Sequence, residues 1–205
     1  MVDGGDPANS APRTGGRVRS SAARDEVLNA TMALLEEQGY GKITMEGVAA
    51  RSGVAKSTIY RWWKSKALLV MEAQSEAVAR RMPEPDTGSV AEDLTIFASE
   101  LNRVVEFPQR MEALRGMMAD AQLYPDFAGA LRDWVQTRRA VVSAILSRGV
   151  ERGELDADLD VEYATDLIFG PFWYRLLVGH APLRPDLAGA EIARLLAGFR
   201  HPAAD

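Results

Sequence analysis

Between Thr44 and Trp63 the chain carries two short helix-forming segments separated by Ser52-Gly53, and this arrangement restricts the possible folds more than any other stretch. Thr44 precedes the first segment, Met45 to Arg51, where its hydroxyl can satisfy free backbone donors; Gly47 stands where an acid would complete a capping box. Ser52-Gly53 breaks the helix, and Val54 leads into a second segment, Lys56 to Trp63, whose Ile59 and Trp63 can share a core. Two short helices joined by a glycine-containing turn of this size form a helix-turn-helix.

The rest of the sequence is helical in period and punctuated by proline and glycine. A first helix is expected from near Ser21, with Val27, Ala30 and Leu34 on one face and Gly39 as its stop. After the helix-turn-helix, a fourth helix runs through Leu68 and Leu69 to Met82 and ends at Pro83 and Pro85. Ser89 and Glu92 form a capping signature ahead of the stripe Leu94, Phe97, Leu101 and Val104. Pro108 opens a helix carrying Met111, Leu114, Met117 and Met118, and a long helix follows from Phe127 to Val150, closed by Gly153. Asp160 caps the next, Val161 to about Gly179, and Pro182 and Pro185 introduce the last, Leu187 to Phe199. No segment alternates as a strand would, so the fold class is all-α. Residues 1–20, rich in Gly, Pro, Ser and Ala, are expected to form a disordered arm; 21–66 form the helix-turn-helix domain and 67–205 a helical bundle.

The formal charge of −5 hides an asymmetry. From Arg13 to Lys66 there are ten Lys/Arg against five acids, a net of +5, whereas residues 67–205 carry −8. A basic module on an acidic body suits a polyanion-binding protein. The absence of cysteine fits a reducing compartment, no apolar run approaches the roughly 20 residues that cross a bilayer, and the N-terminus lacks the apolar centre of a secretory signal. A cytoplasmic protein without membrane contact is expected. His180 and His201 are the only histidines, so no compact structural metal site, and no cofactor, is expected. The string GVAKST shares residues with a phosphate loop, but Ala55 replaces the glycine before lysine and a helix, not a strand, precedes it. There is no E-x-x-H pair, nucleophile–base set or dinucleotide fingerprint, so an enzyme is not expected.

The stretch ITMEGVAARSGVAKSTIYRWWKSKALL, Ile43 to Leu69, preceded by a helix ending in EEQGYGKIT, resembles the tetracycline-repressor (TetR) family of transcriptional regulators. More loosely, RGELDADLDVEYATDLIFGPFWYRLLVGHAPL followed by DLAGAEIARLLAGF is similar to the family's final helix pair. The resemblance implies a DNA-binding regulator, most often a repressor, that binds an inverted-repeat operator as a homodimer and is released by a small-molecule effector. It places Thr44, Tyr60 and Lys66 on the DNA backbone and Lys56, Ser57, Thr58 and Trp62 nearest the bases. The residues fit those roles: Lys56, Ser57, Thr58 and Arg61 can face the major groove while Ile59 and Trp63 pack inward. Two positions depart from the family pattern. Ala55 stands where many relatives have a serine able to cap the recognition helix, and Trp62-Trp63 replace a common histidine-phenylalanine pair. Arg13, Arg17 and Arg19 could add contacts from the arm.

The last two helices carry more apolar residues than one core face requires, so a two-fold dimer interface is expected through Leu167, Ile168, Phe172, Leu176, Leu187, Ile192, Leu195 and Phe199. An effector pocket for a small, largely apolar molecule is expected around Phe97, Leu101, Met117, Met118, Trp134 and Arg138. Arg138 falls on the stripe of Trp134 and Val141, where a charge must find a partner, reach water or line a cavity.

Overall fold

The computed structural model describes residues 14–79 and 84–199, with side chains from 21–77 and 84–199. Among these residues there are nine α-helices, with three short 3-10 turns between them, and no strand. Helix α1 (Thr14–Gln38) begins ahead of the expected Ser21, so the segment expected to be disordered is helical from Thr14 on. Arg13 and the side chains of Arg17 and Arg19 lie outside the description.

The head of the molecule is α1, α2 (Met45–Ser52) and α3 (Lys56–Trp62). Thr44 caps α2 as expected, its hydroxyl accepting from the Gly47 N–H at 3.0 Å. Gly53 ends α2 in the left-handed region at φ 69°, where a side chain would be strained. At α3 the start position is Ala55, and no side chain caps the helix. Buried Thr31 satisfies its hydroxyl by donating back to the Val27 carbonyl at 2.8 Å.

Helix α4 (Lys66–Ala79) leads out of the head; the expected continuation to Met82 lies outside the described residues. Helices α5 (Val90–Asn102), α6 (Pro108–Leu123), α7 (Pro125–Glu151), α8 (Val161–Val178) and α9 (Ala188–Ala197) follow. The starts read from sequence hold: Ser89 accepts from the Glu92 N–H, Pro108 opens α6, and Asp160 accepts from the Tyr163 N–H. The last helix is shorter than expected, because Pro185–Leu187 form a 3-10 turn ahead of it.

Two cores hold these helices together. The proximal core joins Val27, Leu35, Val48, Ile59 and Leu69 to Leu114 and Met117 of α6, Phe127 and Leu131 of α7, and Phe172 and Leu176 of α8. The distal core joins Leu94 and Phe97 of α5 to Val142, Ile145 and Leu146 of α7, Ile168 and Phe169 of α8, and Ile192 and Leu196 of α9. The proximal core therefore crosses the expected boundary between residues 66 and 67. Buried Asp93 in the distal half accepts from the Thr87 N–H and hydroxyl, both at 2.8 Å, and faces Arg148.

Candidate functional site

Helix α3 turns Ile59, fully buried, into the proximal core, and Trp63 follows it at 2% exposure, with its indole N–H donating to Glu72 at 2.8 Å. That anchoring fixes which residues face outward. Lys56, Ser57, Tyr60 and Arg61 are exposed and Thr58 is partly so. Trp62 departs from the expected outward position: it is partly buried against the proximal core and meets Trp63 edge-on at 5.6 Å. Lys56 is held by an ion pair to Glu46 of α2 and lies over the Tyr60 ring at 5.6 Å. The hydrogen bond from Lys56 holds the Glu46 carboxyl below the usual carboxylate range and raises the Lys56 ammonium. Thr44 is exposed at the start of α2. Lys66 is partly buried; it donates to the Tyr40 carbonyl at 3.2 Å and lies over the Tyr40 ring at 4.3 Å.

Tyr40 is also the seat of α6. Its hydroxyl donates to Asp120 at 2.5 Å, and Glu112 accepts from the Gly41 N–H at 3.4 Å. Gly116, between those acids on the same face, lies so close that a Cβ there would come within 2.3 Å of the Tyr40 ring. Burial, reinforced by Asp120, pushes the Tyr40 phenol far above its ordinary value, so it stays a neutral donor.

A cavity of about 310 Å³ opens among α4, α5, α6, α7 and α8. It lies on the seam of the two cores: Leu101 and Trp173, which line it, pack against both. Of the six residues expected around an effector, Leu101, Trp134 and Arg138 line the cavity. Phe97 and Met117 do not, because both are fully buried, one in each core, and Met118 packs on the proximal core. Residues the sequence reading missed complete the wall, among them Gln74, Phe107, Arg110 and Leu114, with Phe169 and Phe172 of α8. Gln74 is 3% exposed, and its side-chain nitrogen lacks a hydrogen-bond partner among the described residues. The same holds for Trp134 Nε1 and for the Nε atoms of Arg138 and Arg110. Burial lowers the pKa of the Arg138 guanidinium, with the Glu84 charge opposing.

The residues expected at a dimer interface divide. Ile168, Phe172, Leu176, Ile192 and Phe199 are buried within this chain, so they are not free to meet a second copy. Leu167 and Leu195 are partly exposed and Leu187 is 41% exposed. The open apolar surface of α8 is instead Tyr163, Tyr174, Leu177 and Val178, which with Leu167 recur at helical spacing along one outer stripe.

A helix-turn-helix head whose second helix presents an exposed polar face, joined to a helical body, defines a regulator of transcription. Residues 27–73 match the family model for bacterial regulatory proteins of the tetR family, and residues 84–195 match that for the tetracyclin repressor-like C-terminal domain. The HTH-type transcriptional regulator YdeS of Bacillus subtilis is 35% identical over 80% of this chain and 82% of its own. The DNA-binding transcriptional repressor TetR of Mycobacteroides abscessus is 30% identical over 92% of this chain and 97% of its own. The crystal structure of the TetR family transcription regulator SCO0332 superposes with a TM-score of 0.77 at 34% identity, covering 86% of this chain and 97% of that one. The chain belongs to the TetR family of DNA-binding transcriptional regulators. No helix among the described residues is long and apolar enough to cross a membrane.

Proposed function

We propose that this protein is a cytoplasmic repressor that binds an inverted-repeat operator as a homodimer and releases it when a small molecule occupies the cavity. Residues 21–66 act as the reading head and 67–205 as the regulatory and dimerising body. The observation that carries the reading is α3, whose inner face is locked by Ile59 and Trp63 while Lys56, Ser57, Tyr60 and Arg61 stand outward. Thr44, Tyr60 and Lys66 position the head on phosphates; Lys56, Ser57, Thr58 and Arg61 read bases, with the free edge of Trp62 beside them. The similarity to a relative named as a repressor supports the sign of regulation. The outer stripe of α8 supplies a self-complementary surface, and a two-fold pair matches two inverted half-sites.

The test is to sequence the duplexes retained by the purified protein and titrate the preferred one with salt. Inverted half-sites and affinity falling steeply with salt are expected. Tyr60→Phe should weaken all sequences alike, and Lys56→Ala should alter base preference by about 1–3 kcal/mol. If both leave affinity unchanged, α3 is not the recognition helix. Leu177→Glu should yield monomers with poor operator affinity, and an unchanged dimer mass in light scattering would exclude this interface.

A further inference from the structure

The cavity wall makes an unusual demand on whatever fills it. Trp134 Nε1, Gln74 Nε2, Arg138 Nε and Arg110 Nε are all buried, all on lining residues, and all without a partner among the described residues. Every one is a donor, and a buried donor left unpaired is costly and uncommon. The cations are unevenly matched. Arg103 pairs with Glu100 at 3.2 Å and Arg110 with Glu36 at 3.1 Å, whereas Arg138 has no ion pair among the described residues and the exposed Glu84 acts on it without one. Glu106, the other acid on the wall, is exposed. The remaining wall, including Val104, Phe107, Phe169, Phe172 and Trp173, is apolar.

Resting on the reading of this cavity as the effector site, we infer that its ligand is a small carboxylate amphiphile, with the apolar body against the aromatic wall and the carboxylate against Trp134, Gln74 and Arg138. A carboxylate offers acceptors only, which answers a wall of unpartnered donors, and its charge neutralises Arg138, the partly buried guanidinium of the wall that has no ion pair among the described residues. An alkylammonium would bring three further donors and a second cation to the same place. At about 310 Å³ the space is at the small end of ligand pockets, which suits a medium-chain or single-ring acid.

The test uses the full-length protein with three probes of matched length: decanoate, methyl decanoate and decylamine. Decanoate should raise the melting temperature in proportion to its concentration, the ester less, and the amine not at all. Arg138→Met and Trp134→Phe keep the bulk and remove the charge or the donor. Both should melt no lower than the parent when unliganded, yet bind decanoate at least tenfold more weakly. Stabilisation by decylamine equal to that by decanoate, no stabilisation by decanoate, or unchanged affinity in both variants would each overturn the carboxylate assignment. Operator release is measured separately with the same probes. If decanoate binds through Arg138 and the operator stays bound, the ligand class stands and the effector reading fails; if decylamine releases the operator and Trp134→Phe abolishes this, the reverse holds.

Discussion

The two cores differ in what they are made of and in what they can do. The distal core is built wholly from the body, and α5 closes it against α9. The proximal core is shared: head residues pack into the same cluster as α6 and as parts of α7 and α8. Helix α7 serves the proximal core at Leu131 and the distal core at Val142, and α8 serves the distal core at Phe169 and the proximal core at Phe172. Trp134, Val135 and Arg138 fall in the first interval, and Phe169 and Phe172 border the second, with Pro171 between them. The cavity thus lies where two long helices change allegiance.

The largest way to break the comparison is Phe97→Ala, which empties the centre of the distal core and removes the edge-on contact with Phe169 at 5.8 Å. A loss of about 3–5 kcal/mol is expected in urea denaturation. Because α7 and α8 run through both cores, the transition should stay single, with tryptophan fluorescence and helical circular dichroism lost together. Separate transitions would mean the cores fold independently.

Gly116→Ala strikes the shared core instead. With a Cβ 2.3 Å from the Tyr40 ring, overpacking should cost about 1–3 kcal/mol. Unlike Phe97→Ala, it should also lower operator affinity in protein that remains folded, which a gel-shift assay normalised to folded fraction would detect.

A smaller and more local effect is expected for Thr44→Ala, which removes the α2 cap at a cost of about 1 kcal/mol. Amide exchange should quicken in α2 and remain unchanged in α9.

Smallest in stability is Glu46→Gln, since the pair with Lys56 is fully solvated. It should leave the melting point unchanged but free Lys56 to reach the bases, so that the preferred duplex is bound more tightly and base preference shifts, which a titration of matched and mismatched duplexes would detect. The Glu46 carboxyl titrates below its ordinary 4.5, so the pair is present above that value and is lost as pH falls through the depressed one. Acidification from pH 7 to pH 5 should therefore not reproduce the substitution.

The contrast between the regions also explains what the sequence could reveal. The head was legible because its signals are local: a threonine three residues before the N–H it caps, a glycine at positive φ, and Ile59 and Trp63 one helical turn apart. The body was legible as helices but not as faces. Phe172 and Leu176 read as surplus apolar surface for a partner and are absorbed by the chain's own core, since composition does not say which neighbour covers a helix. Phe97 and Met117 share stripes with true cavity residues and differ only in what stands opposite them. Gln74 and Arg110 carried no signal alone, because a polar residue on a helix is ordinarily solvated. Arg138 was the exception, a charge on an apolar stripe.

The contact of Gly116 with Tyr40 has a mechanical side. Helix α6 carries Arg110 and Leu114 at the cavity and, on another face, Glu112, Gly116 and Asp120, which grip the loop of Tyr40. Soft packing with free volume would absorb a small shift of that helix; close-packed atoms do not yield. Lys66 is tethered to the carbonyl and the ring of the same Tyr40. Packing is close along the line from the cavity through Gly116 and Tyr40 to Lys66, and a displacement entering α6 arrives at the head with little slack to take it up.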